Sequence, residues 1–323
     1  MNSFDYLKIF ILLLLPIAAY GYYGGTIAQP EDFSSSVRLI IFYKDSTTSS
    51  GNNAEGCTGV FIDENKILTA AHCLNHSNIY EIIITQTIKF GESIENANKV
   101  QYLKRFETFM HPKYEVERSK NVFSDLGILI VKEEISINFS IAELAYDLPK
   151  GIEVIVGGFG LNYYPIPNMI IKDNGKNIAT KDNLYDFRMD YREVFKLNSK
   201  SFTLKTKKSH MQIDFNENFD DNPVHLFLIL PMISNLNNVL EGTPGAVREV
   251  IKTQLKFSHL MQGDSGGPVY IFNNNKFKVV GINSSAGTVG FWDFSYPKDA
   301  LRENIIRVDT KSYGRAWINT FIN

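Results

Sequence analysis

Gly263-Asp264-Ser265-Gly266-Gly267-Pro268 is the stretch on which the reading of this chain turns. A serine hydroxyl becomes a useful nucleophile only when it stands on a tight backbone turn, and flanking glycines let the chain make that turn and approach a substrate closely. The amide N–H groups of such a turn can also point at the oxygen that becomes negative during acyl transfer. Far upstream the chain reads Cys57-Thr58-Gly59-Val60-Phe61-Ile62 and then Ile67-Leu68-Thr69-Ala70-Ala71-His72-Cys73. That second segment adds a histidine, a potential general base, to the candidate nucleophile.

Outward from these segments, the composition sets bounds. The chain has 323 residues, 44% of them hydrophobic, enough for a sizeable core, and its formal net charge of −2 gives no electrostatic case for nucleic-acid binding. Lys205, Lys207 and Lys208 form a small basic cluster, read as a solvated loop or strand face. The first residues have the form of an export signal: Lys8 in a polar start, an apolar run from Ile9 to Ala19, then Tyr20-Gly21. The run is too short to span a bilayer comfortably. The expectation is therefore cleavage of residues 1–21, a mature chain over 22–323 with no stable membrane anchor, and a secreted or periplasmic location.

Most of what remains reads as strand. Val37 to Tyr43, Thr58 to Ile62, Lys66 to Ala70, Ile79 to Thr85, Leu126 to Val131 and Glu153 to Gly157 are short apolar or β-branched runs broken by Asp, Asn and Gly. Asp63-Glu64-Asn65 and Asn273-Asn274-Asn275 read as hairpin turns, the second joining Val269 to Phe272 with Lys276 to Asn283. Helix is expected mainly over Tyr313 to Ile322. Many short strands without βαβ alternation predict an all-β fold, a closed barrel or a sandwich.

With these residues in order along the chain, the sequence resembles the trypsin and chymotrypsin family of serine proteases. The further landmarks are Asp125-Leu126-Gly127-Ile128-Leu129-Ile130, Gly157-Gly158-Phe159-Gly160 and Trp317-Ile318. The resemblance implies two antiparallel β-barrels with the active site between them and a short C-terminal helix. It places the N-terminal barrel at about 22–145, the C-terminal barrel at about 146–310 and the helix at about 313–322. It also implies that Ser265 attacks the scissile carbonyl, His72 takes and returns the proton, and Asp125 orients the imidazole. The backbone N–H groups of Gly263 and Ser265 would form the oxyanion hole. The two cysteines, Cys57 and Cys73, fall where the family carries a disulfide beside its histidine; two buried thiols are the other reading. Each triad member has a structural alternative as well: a serine in a Gly-rich turn, a packed histidine, a turn-forming aspartate.

The departures from the family bear on specificity. Where trypsin-like enzymes carry an aspartate at the floor of the substrate pocket, this chain has His259, and Met261 stands where a pocket disulfide would begin. Without a buried anion, a preference for lysine or arginine before the cut bond does not carry over; His259 is read either as a recognition group or as a pocket residue without that role. Ser284, Ser285 and Ala286 align with the strand that pairs with substrate backbone, with Ala286 narrowing the pocket mouth. The stretch from Gly160 to Gly263 is about twice the family's length. It holds Tyr163-Tyr164-Pro165 and an apolar run from Val224 to Ile233, and is read either as loops bordering the cleft or as an elaborated surface hairpin.

Tyr22-Tyr23-Gly24-Gly25 occupies the place of the family's activating N-terminus, so that a newly freed Tyr22 ammonium would pair with Asp264. His76, His111, His210 and His225 are read as structural or exposed, and Asn75, Asn138 and Asn283 head Asn-x-Ser triplets. The implied activity is an exported, monomeric serine endopeptidase acting on protein or peptide substrates without metal or cofactor. A catalytically inactive protease-shaped binding protein and an esterase with the same triad are the alternatives.

Overall fold

The computed structural model describes residues 26–28, 33–44, 52–86, 100–114, 124–149, 151–160, 169–173, 176–177, 188–204, 207–208, 211–215, 257–258, 260, 263–286 and 303–322. Along the first part of the chain lie β1 (Thr26–Ile27), β2 (Ser36–Lys44), β3 (Asn52–Asp63), β4 (Lys66–Thr69), β5 (Ile79–Thr85), β6 (Val100–Leu103), β7 (Phe106–Met110), β8 (Gly127–Val131) and β9 (Glu143–Leu144). There follow β10 (Glu153–Gly158), β11 (Met169–Asp173), β12 (Lys176–Asn177), β13 (Arg188–Leu197), β14 (Ser201–Leu204), β15 (Lys207–Lys208) and β16 (Met211–Phe215). The last strands are β17 (Phe257–Ser258), β18 (Pro268–Asn273), β19 (Lys276–Ala286) and β20 (Glu303–Arg307). Ala71–Leu74 and Tyr313–Ile322 are helices, and Tyr114 is a further helical residue among the described residues.

The fold is mostly β and consistent with the chymotrypsin architecture. Seven strands in the order β6-β5-β2-β3-β4-β8-β7 form a curved half-barrel. Strands β13, β10, β18, β19, β20 and β14 pair in turn, and β14 pairs back to β13, which closes a six-stranded antiparallel barrel. Two short pieces from the first part of the chain join this barrel: β1 pairs with β13, and β9 runs parallel to β19.

The near-continuous apolar runs of the sequence are explained by strands buried on both faces. Phe61, Ile67 and Leu129 point into the core of the half-barrel with Leu39 and Ile84. Their chain neighbours Val60, Leu68 and Ile128 turn the other way, onto Ile155, Tyr270 and Ile282 of the closed barrel. Alternation along β10 and β18 repeats the pattern, since Val154, Val156, Val269 and Ile271 fill the closed barrel while Ile155 and Tyr270 face the interface. Tyr270 also ties the two sheets by hydrogen bonds to Ser35 Oγ at 3.1 Å and Ser36 Oγ at 2.8 Å. Burial pushes its phenol up to about 12, partly offset by those two bonds.

The β18–β19 hairpin turns on Asn274 and Asn275, with φ of 52° and 57°. Two successive left-handed residues are what a two-residue turn of this twist demands, and asparagine tolerates them. The long stretch after Gly160, read from sequence as cleft-bordering loops or a surface hairpin, contributes β13 and β14 to the closed barrel, so it is not surface elaboration alone. It also holds a three-stranded sheet, β12-β11-β16, and β15, which pairs with β17. Tyr163-Tyr164-Pro165 and the run from Val224 to Ile233 lie outside the described residues.

Candidate active site

His72 sits in the one-turn helix Ala71–Leu74, entered directly from β4 through an extended Ala70. Asp125 lies just ahead of β8, which pairs with β4. The ladder therefore carries the two residues to the same end of the half-barrel. Asp125 is fully buried and takes three hydrogen bonds. Its Oδ1 accepts the backbone N–H of His72 at 2.8 Å, and its Oδ2 accepts His72 Nδ1–H at 2.7 Å and the Ser284 hydroxyl at 2.7 Å. A carboxylate only accepts, so the proton sits on Nδ1 and the lone pair is left on Nε2 of a half-exposed imidazole.

Ser265 lies on the turn that leads into β18. Both barrels hold that turn: Thr58 N donates to Ser265 O at 2.8 Å from β3, and Gly266 N donates to Asn283 O at 2.7 Å on β19. Thr58 Oγ1 further donates to Gly263 O at 2.7 Å, and Asn283 Nδ2 to Gly157 O at 3.0 Å. Gly266 has φ of 81°, and a Cβ there would stand 2.0 Å from Thr69 Oγ1 and 2.2 Å from Thr58 O. Only glycine lets the nucleophile turn press this closely against β3 and β4. The bonds that fix the turn engage Gly266 N and Gly267 N, and leave the N–H groups of Gly263 and Ser265 outside them.

A disulfide joins Cys57 on β3 to Cys73, the residue after His72. Cys73 Sγ lies 3.7 Å from Ser265 O, which brings the histidine helix and the serine turn into contact. Cys57, His72 and Cys73 offer atoms within 4.8 Å of one another, yet bonded sulfurs lack the thiolate charge that metal ligation needs.

Asp264 is fully buried, and its Oδ1 accepts Gly160 N–H at 3.3 Å. A Cβ on Gly158 would fall 1.9 Å from that oxygen, so a glycine is required where β10 passes the carboxylate. Tyr22 and His259 lie outside the described residues. Ser284 is buried with its hydroxyl on Asp125, while the backbones of Ser285 and Ala286 pair with Asn304 and Glu303. Sequence reasoning assigned Ser284 to the pocket and did not find its bond to Asp125, nor the bracing by Thr58 and Asn283. Of the histidines read as structural or exposed, His111 is buried against Trp317 and Tyr313, at ring separations of 5.2 and 5.4 Å.

The family model described as trypsin matches residues 24–181. Over those residues, just under half of the chain, the sequence is similar to the trypsin family. The match includes His72 and Asp125 and ends before Ser265. A chymase from Papio hamadryas is 30% identical over 142 residues, 42% of this chain and 51% of the relative. Phenoloxidase-activating enzyme 1 from Spodoptera litura is 26% identical over 153 residues, 43% of this chain and 39% of the relative. The chain thus spans about half the length, or less, of these curated relatives. Among the described residues, no helix is long and apolar enough to cross a membrane.

Proposed function

We propose that this chain is an exported serine endopeptidase of the trypsin family that cleaves peptide bonds through an acyl-enzyme. The observation that carries the reading is the convergence on Asp125: one buried carboxylate holds His72 by both backbone and ring, beside a serine turn braced from both barrels. In the proposed sequence, His72 Nε2 takes the Ser265 hydroxyl proton as Oγ attacks the carbonyl carbon, and Asp125 stabilises the imidazolium that forms. The Gly263 and Ser265 N–H groups receive the developing oxyanion, worth about 3 kcal/mol of the barrier. The proton then passes from Nε2 to the leaving amine. Water deacylates Ser265 by the same relay.

Export would expose the start of the mature chain at Tyr22, whose ammonium is proposed to reach the buried carboxylate of Asp264. His259 replaces an acidic pocket floor, so the profile before the cut is expected not to be dominated by lysine or arginine. The test is cleavage of a peptide library by purified protein beginning at Tyr22, alongside Ser265→Ala. Cleavage by the parent and its loss in a folded variant is the expected result. Equal rates from both proteins would overturn the assignment.

A further inference from the structure

The serine turn is flanked by β19 on one side, through Gly266 N and Asn283 O, and by β3 on the other, through Thr58 N and Ser265 O. If the acyl half of a substrate lies along Ser284 to Ala286 at the end of β19, the leaving half extends toward β3 and over the Cys57–Cys73 bridge. Two residues back along β3, on the same face as Cys57, stands Glu55. Three residues beyond Cys73 stands His76, and its Nε2–H donates to Glu55 Oε2. The His76 ring is stacked on Tyr43 with centroids 3.9 Å apart and planes 12° from parallel. Both members of the pair keep a solvent-facing edge, with side-chain exposures of 18% for His76 and 24% for Glu55. Among the described residues the second carboxylate oxygen of Glu55, Oε1, takes no hydrogen bond.

We propose that Glu55, held in place by His76 and Tyr43, is the subsite for a cationic side chain on the leaving half of the substrate. The proposal rests on the peptidase reading above and deepens it. His76 fixes one carboxylate oxygen by a single hydrogen bond, and the stacked Tyr43 limits the imidazole's freedom to swing away. The other oxygen is presented in advance, without the ordering cost that a loose surface glutamate would carry on binding. A lysine or arginine just after the cut bond meets an oriented acceptor there. Selectivity on the two sides of the bond is then set by different residues.

The test uses the mature protein and quenched fluorescent peptides carrying Lys, Ala or Glu at each position just after the cut. The parent is expected to cleave Lys peptides about fivefold faster than Ala peptides at one of those positions, the scale of a partly exposed ion pair. Glu55→Gln is expected to bring that ratio to about one, and Glu55→Lys to shift it toward Glu peptides, an inversion that mere loosening of the strand would not produce. Should Glu55→Lys fail to fold, the Glu55→Gln ratio decides alone. A parent that cleaves without any lysine preference after the cut, or a Glu55→Gln variant that keeps it, overturns this proposal alone. A folded parent that cleaves none of the peptides overturns the peptidase reading with it.

Discussion

Three donors converge on Asp125, and their unequal visibility in the sequence is instructive. His72 supplies two of them and was legible because its segment is distinctive. The third, Ser284, lies 159 positions away, and no local pattern marks the hydroxyl that will reach a buried carboxylate. Ser284→Ala leaves Asp125 with the two His72 bonds, so the expected cost is about 1–3 kcal/mol of stability, the range for a buried acceptor losing a partner. The same change should lower kcat more than it raises KM, because the freed carboxylate orients the imidazole less firmly. Denaturant unfolding and steady-state kinetics on one preparation check both. An unchanged midpoint together with unchanged kcat would show that the hydroxyl is incidental. Glycine placement was legible in part: the run around Ser265 announced a turn, while the fit of Gly266 against Thr58 and Thr69 depends on a contact between distant strands.

At the level of elements, β2, β3, β4, β5, β8, β10, β18 and β19 were found from their apolar or β-branched runs, and β13 was not. The reason is its buried face, which carries Arg188, Asp190 and Arg192 ahead of Val194, while the exposed Tyr191 stands on the other side. A strand with charge inside inverts the alternation by which half-buried strands are recognised. The same inversion hid the closing of the second barrel, which needs β13 and β14 together. The disulfide was expected from resemblance, and it now has a mechanical role, as a clasp between β3 and the helix that carries His72. Its ends are 16 residues apart, and a loop of about that length contributes roughly 3 kcal/mol in the chain-entropy model. The native protein should titrate no thiol until reduced, and reduction should lower stability by about that amount. Retained stability after full reduction would mean that packing around Cys57 and Cys73 alone holds the helix.

At the scale of the whole molecule, the two barrels are joined by a shared apolar layer, by Tyr270 with Ser35 and Ser36, and by a short parallel pairing of β9 with β19. The last of these is clamped by Glu143, which accepts from Lys276 at 2.6 Å and pairs with Lys278 at 2.8 Å. Hydrogen bonds from Lys276 and then Lys278 hold its carboxyl down to about 2, against an ordinary 4.5. A lowered folded-state value means that the contribution is complete above the ordinary value and is lost as pH falls toward about 2. Glu143→Gln should therefore melt slightly below the parent at neutral pH and converge with it in strong acid; a gap independent of pH would place the effect in packing. The proposed activity itself is tested most directly by fluorophosphonate labelling of the mature, folded protein, with the adduct located by peptide mass mapping. The expected result is one adduct, on Ser265, absent from a folded His72→Ala variant. Folded parent that takes no label, or takes it on another residue, would contradict the assignment of Ser265 as nucleophile and His72 as its base.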